Sequence, residues 1–186
     1  FWKGFELRNQ GRRDEAREAF ALAAREDPGN AYANLELGLE LATAGDNANA
    51  AAALKKAADL DASYHDMLAN LIAALEANED VVPKLNAVNA YRNSLSALGR
   101  KDTEAAEQYL QQALQLDPRL SEAQLMLGYV LTARDHYENA DAALAQYLAM
   151  SDSPDVDAYA HMALIQAEHN RPDLVGETLG RLFEKN

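Results

Sequence analysis

Along most of the chain, apolar side chains recur every three or four positions, the spacing that gathers them on one face of a helix. Ala50, Leu54 and Ala57 share one such face, Leu68, Leu71, Ile72 and Leu75 a second, and Leu85, Val88, Tyr91, Leu95 and Leu98 a third. Asp27-Pro28 and Asp117-Pro118 interrupt the pattern. The residue before a proline avoids the α region, so a helix ends there and the chain turns. These signals predict an all-α chain with helices over residues 1–10, 12–26, 31–44, 47–60, 64–79, 83–98, 102–116, 120–133, 137–150, 155–169 and 172–184.

A longer period lies over the helical one. Residues 31–64, AYANLELGLELATAGDNANAAAALKKAADLDASY, align with residues 121–154, SEAQLMLGYVLTARDHYENADAALAQYLAMSDSP, each block being 34 residues long. Leu37 and Gly38 fall on Leu127 and Gly128, Leu41 on Leu131, Ala50 on Ala140 and Leu54 on Leu144. The small side chains have a physical use: Gly38 and Gly128 lack a Cβ, and Ala50 and Ala140 carry only a methyl, so two helices can cross closely there.

One segment breaks this beat. With Pro28, Ala62, Pro118 and Asp152 as one repeat position, the separations are 34, 56 and 34 residues. The surplus is about one helix with its turn. The segment EDVVPKLNAVNAYRNSLS, residues 79–96, is expected to hold the extra helix, opened by Pro83 near its start. Either the helix at 65–79 stands without its usual partner, or the helix at 83–98 takes that partner's place and changes the angle between the two halves.

Two further stretches carry a family pattern. Ala16, Phe20, Ala23 and Pro28, preceded by Gly4 and Gly11, and then Ala106, Leu110, Ala113 and Pro118, fit A-x3-F-x2-A with a closing proline. Together with the 34-residue period, this resembles the tetratricopeptide repeat, a family of helix-turn-helix units. The resemblance implies a right-handed α-solenoid of tetratricopeptide-type helix pairs forming a single domain over residues 1–186. Its units would be a truncated 1–30, then 31–64, an irregular 65–120, 121–154 and a degenerate 155–186. In the last, Met162 and Ala163 take the Leu-Gly places, Leu179 and Leu182 take core places, and Glu177, Arg181, Glu184 and Lys185 form a solvated outer face, as a capping helix requires.

Charge narrows the class of partner. The 186 residues carry 30 acidic and 17 Lys plus Arg side chains, a formal net charge of −13, which opposes binding to nucleic acid or anionic lipid. No apolar run reaches the length of a membrane span. Cysteine is absent, which leaves cytoplasmic and periplasmic settings both compatible. The opening FWKGFELR, without an initiator Met, suggests a segment of a longer chain.

Catalytic signals are weak. His65, His136, His161 and His169 are scattered, no phosphate-binding glycine loop or nucleophile elbow occurs, and the carboxylates at Asp14, Glu15, Asp135 and Glu138 read as helix-start residues. The sequence therefore predicts no catalytic residue, no metal site and no cofactor.

Binding is the stronger expectation. In tetratricopeptide arrays the first helix of each repeat lines a concave groove, which implies a partner-binding surface of Phe5, Tyr32, Leu35, Leu39, Tyr91, Leu125 and Tyr129, with Phe1, Leu95 and Thr132 nearby. Asp66, Glu76, Glu122 and Asp157 would supply an acidic rim. Such a groove suits an apolar or basic peptide or helix of a protein partner. For each residue the alternative is packing between adjacent first helices. A carboxylate clamp is not expected, because no basic cluster stands at Leu35, Leu39, Ala69, Ala73, Leu125 or Tyr129. Nor is an asparagine ladder, because Asn34, Asn70 and Asn93 fall at different repeat positions. The leading functional expectation is a non-catalytic interaction scaffold; the alternative is the repeat arm of a larger enzyme or of an outer-membrane export or receptor protein.

Overall fold

The computed structural model describes residues 1–150 and 156–185, and these form helices and turns throughout. In chain order the helices are α1 (Trp2–Asn9), α2 (Arg13–Glu26), α3 (Ala31–Thr43), α4 (Asn47–Leu60), α5 (His65–Ala77), α6 (Val82–Gly99), α7 (Thr103–Leu116), α8 (Ser121–Ala133), α9 (Tyr137–Met150), α10 (Val156–Glu168) and α11 (Pro172–Lys185). A short 3-10 turn, Ala62–Tyr64, leads into α5. Each sequence-predicted helix has its counterpart within two residues at either end. Asp152, used above to measure the period, and the side chains of Glu184 and Lys185, assigned to the outer face, lie outside the described residues.

The chain divides into two compact units, Phe1–Val88 and Asn89–Asn186, the division falling inside α6. In the first unit each of α1 to α4 packs on the helix that follows it. Its core gathers Leu7, Ala16 and Phe20 with Phe1, Phe5, Ala19 and Leu37 against them. Burying a side chain the size of Phe20 or Leu54 contributes roughly 1.5–3 kcal/mol. The close crossings fall where glycine was read: a Cβ on Gly38 would lie 2.5 Å from Leu54 Cδ2, and one on Gly4 2.6 Å from Phe20 Cε1. In the second unit α7 to α11 again pack in chain order. Gly128 there lies against Leu144, as Gly38 lies against Leu54.

Turns within the pairs share one device. Gly11, Gly45, Lys101, Asp135 and Asn170 all have positive φ, between 54° and 81°. The amide after each donates to a carbonyl five residues back: Arg12 to Leu7, Asp46 to Leu41, Asp102 to Ala97, His136 to Leu131, and Arg171 to Gln166. This is the Schellman closure, which satisfies the last carbonyls of the first helix and reverses the chain. Asp135, read as a helix-start residue, is instead the left-handed turn residue and accepts the Tyr137 hydroxyl at 2.5 Å. Asp46 and Asp102 cap the following helices, accepting from Asn49 and Ala105 amides.

The extra helix can be located by register. Ser94 is fully buried and stands 34 residues before Gly128, and Ala106 stands 34 before Ala140. The second half of α6 and all of α7 thus keep the repeat period. Of the two placements left open above, the register favours the one in which α5 is the odd helix. It packs on α4 and buries Met67, Leu68, Leu71, Ala74 and Leu75.

Candidate interaction faces

In the second unit the candidate surface starts on α8. Pro118 and the turn to Leu120 stop α7, and α8 then lies between α7 and α9. Packing on both sides buries Ala123, Gln124, Leu127, Gly128, Val130 and Leu131. Among the rest of α8, Glu122, Leu125, Tyr129 and Thr132 are partly exposed and spaced so that they share one face. The Tyr129 ring meets the His161 ring of α10 edge to face, with centroids 4.9 Å apart. His161 Nε2 is buried there without a hydrogen-bond partner. Exposed Asp157 precedes His161 by one helical turn. The result is a strip of leucine, tyrosine and imidazole bordered by two carboxylates.

The first unit presents an aromatic cluster. Phe1, Phe5, Phe20 and Tyr32 meet with ring centroids 5.1–6.0 Å apart, and Trp2, packed on Phe1 and Phe5, is 77% exposed. Arg8 lies over the Phe5 ring, 4.9 Å from its centroid, and its Nη1 donates to Glu36 Oε2 at 2.6 Å and Glu40 Oε1 at 3.5 Å. Both carboxylates are buried on α3. One guanidinium therefore partners both buried carboxylates, offsetting part of what burial costs them, and it ties α1 to α3.

Three residues expected on the binding surface are core residues instead. Leu35 is 1% exposed, Leu39 4% and Tyr91 8%. α3 lies between α2 and α4 and is also met by Arg8 of α1 at Glu36 and Glu40, and it keeps accessible surface at Tyr32, Leu37, Leu41 and Thr43. Burial, with a smaller contribution from the charge of Glu122, pushes the Tyr91 phenol up to about 12. Phe5, Tyr32, Leu125 and Tyr129 keep accessible surface. Trp2, Arg8, Glu36, Glu40 and His161 were not singled out for these faces. The two glutamates carried a signal, since LELGLEL places them one turn apart on an apolar helix.

Among the described residues, no group of three or more His, Cys, Asp or Glu side chains is gathered as a metal site would require. No helix among them is long and apolar enough to cross a membrane.

A tetratricopeptide repeat family model matches residues 4–65 and 91–155, more than half of the chain. The chain belongs to the tetratricopeptide repeat family. The match omits residues 66–90, which are α5 and the first half of α6, the region where the register also places the odd helix. Solved tetratricopeptide structures show the same fold. MamA shares 21% identity with a TM-score of 0.53, over 98% of this chain and 93% of that one. YrrB, described as a TPR protein with an unusual peptide-binding site, shares 19% identity with a TM-score of 0.50, over 91% of this chain and 93% of its own. No curated protein sequence matches.

Proposed function

We propose that this tetratricopeptide protein is a non-catalytic interaction module that holds a peptide or helical segment of a protein partner along its first-helix faces. The observation that carries the reading is the strip on α8 and α10, where Leu125, Tyr129 and His161 are half-exposed side by side with Glu122 and Asp157 beside them. An apolar and aromatic floor with acidic edges suits a segment that brings apolar anchors and basic residues. Phe5, Tyr32 and Trp2 offer a second aromatic surface in the first unit. Family membership and the peptide-binding description of YrrB support the same class of activity.

The test begins with affinity capture on the immobilised protein and identification of the bound segment. Titration calorimetry then compares the parent with the Leu125→Ala, Tyr129→Ala double variant. A loss of roughly tenfold or more in affinity is expected. Unchanged affinity in a folded double variant would remove the α8 face from the account.

A further inference from the structure

Within the second unit, one inter-repeat position is built in two ways. On α7, Glu107 makes an ion pair with Arg134 from the turn after α8, Oε2 lying 2.9 Å from Nε outside hydrogen-bond geometry, and His136 Nδ1 lies 4.0 Å from the same oxygen. Glu107 and Arg134 each have only a minority of the side chain exposed. Thirty-four residues later, Asp141 on α9 stands where Glu107 stands on α7. Asp135 and Asn170 are the left-handed residues of the two corresponding turns, so the residue before each is equivalent, and His169 stands where Arg134 stood.

The second version leaves space. The His169 ring lies against Tyr137 with centroids 4.4 Å apart, and its Nδ1 lies 3.1 Å from the Ile165 carbonyl. Asp141 Oδ1 receives the Gln166 side-chain amide at 2.7 Å in place of an arginine. In front of these groups is a cavity of about 170 Å³, with Gln166 in its floor and exposed Glu138 and Arg171 among its lining residues. That floor is built: Gln166 is 2% exposed, and Thr178 donates to its carbonyl at 2.9 Å, which fixes the amide toward Asp141.

We propose that this cavity takes the guanidinium of an arginine side chain brought by a protein partner. The chain itself fills the equivalent place with an arginine one repeat earlier. Gln166 uses Asp141 Oδ1, and a carboxylate has further acceptor capacity on its second oxygen. Glu138 adds a second negative charge. Tyr137 and His169 supply ring faces on which a planar guanidinium stacks better than an ammonium. The site is separate from the first-helix strip and contributes an additional anchor for a basic partner. Arg171, whose backbone amide closes the turn onto Gln166, is the cation of this chain that competes for the space.

Arginine amide is the probe, titrated into the isotopically labelled protein and followed by NMR. Citrulline amide, of the same shape but with an uncharged side chain, is the control. Arginine amide is expected to shift the Gln166 side-chain amide and the Ile165 and His169 backbone amides, while citrulline amide leaves them in place. Lysine amide is expected to bind more weakly than arginine amide. Glu138→Gln, at an exposed position, should weaken binding about two- to fivefold, and Arg171→Ala should tighten it by removing the competitor. Asp141→Asn should abolish the response; if that variant is misfolded, Glu138→Gln decides. Equal shifts with citrulline amide, no response at Gln166, or full affinity in Glu138→Gln would overturn the proposal. The Leu125→Ala, Tyr129→Ala variant should titrate as the parent does, which separates failure here from failure of the first-helix reading.

Discussion

A glycine inside a helix ordinarily weakens it by about 0.5–1 kcal/mol relative to alanine, so Gly128 needs a reason. A Cβ there would sit 2.6 Å from Leu144 Cγ, and Leu144 is fully buried, so it would have to shift within a packed core. Overpacking costs roughly 1–3 kcal/mol and outweighs the gain in helix propensity. Gly128→Ala is therefore expected to lower the denaturation midpoint, and Gly128→Leu to lower it further. Gly176→Ala on α11, where a Cβ meets nothing within 4 Å, should leave it unchanged or raise it. Equal effects at the two sites in urea melts would contradict the crossing. Tyr91 gives a pH signature. Its folded pKa lies above the ordinary value of 10.0, near 12, because burial disfavours the phenolate. The folded state therefore binds the proton more tightly than the unfolded state. The stabilisation is fully present below pH 10 and is lost as pH rises from about 10 to about 12. Tyr91→Phe should flatten that stretch of the stability curve; an unchanged slope would mean that the phenol is not desolvated.

At the scale of elements, the turns hold strain that a substitution can relieve. Lys101 holds φ at 61°, a conformation costing a residue with a Cβ about 1–2 kcal/mol, in a place that Gly11 and Gly45 occupy in the first unit. Lys101→Gly should raise stability by up to about 1 kcal/mol in chemical denaturation, and a loss would show that its side chain makes a contact that matters more. These turns also mark a limit of sequence reading. Gly11 announced its turn, but Lys101, Asp135 and Asn170 adopt the same backbone without the residue type that signals it. Helix ends, small-residue crossings and the 34-residue beat were legible because they depend on local chemistry and spacing. The exposure of the candidate face was only half legible. Leu35, Leu39, Leu125 and Tyr129 sit on similar helical stripes, but the sequence shows which side of a helix is apolar and not how many neighbours cover it. Leu35 and Leu39 are buried, whereas Leu125 and Tyr129 on the corresponding face of α8 keep accessible surface.

For the whole molecule, the net charge of −13 supports the proposal of a basic protein partner. Electrostatic attraction between exposed groups is screened within about 8–10 Å at ordinary ionic strength. Capture of a basic segment should accordingly weaken as salt rises, mainly through slower association, and salt-independent association rates would argue for an apolar partner. The most direct measurement of the central claim pairs affinity with stability in the Leu125→Ala, Tyr129→Ala variant, by calorimetric titration of the captured segment and by thermal melting. The account predicts binding weakened at least about tenfold with a nearly unchanged melting temperature, because both side chains keep accessible surface. A variant that binds as the parent does, or one that unfolds, would contradict it.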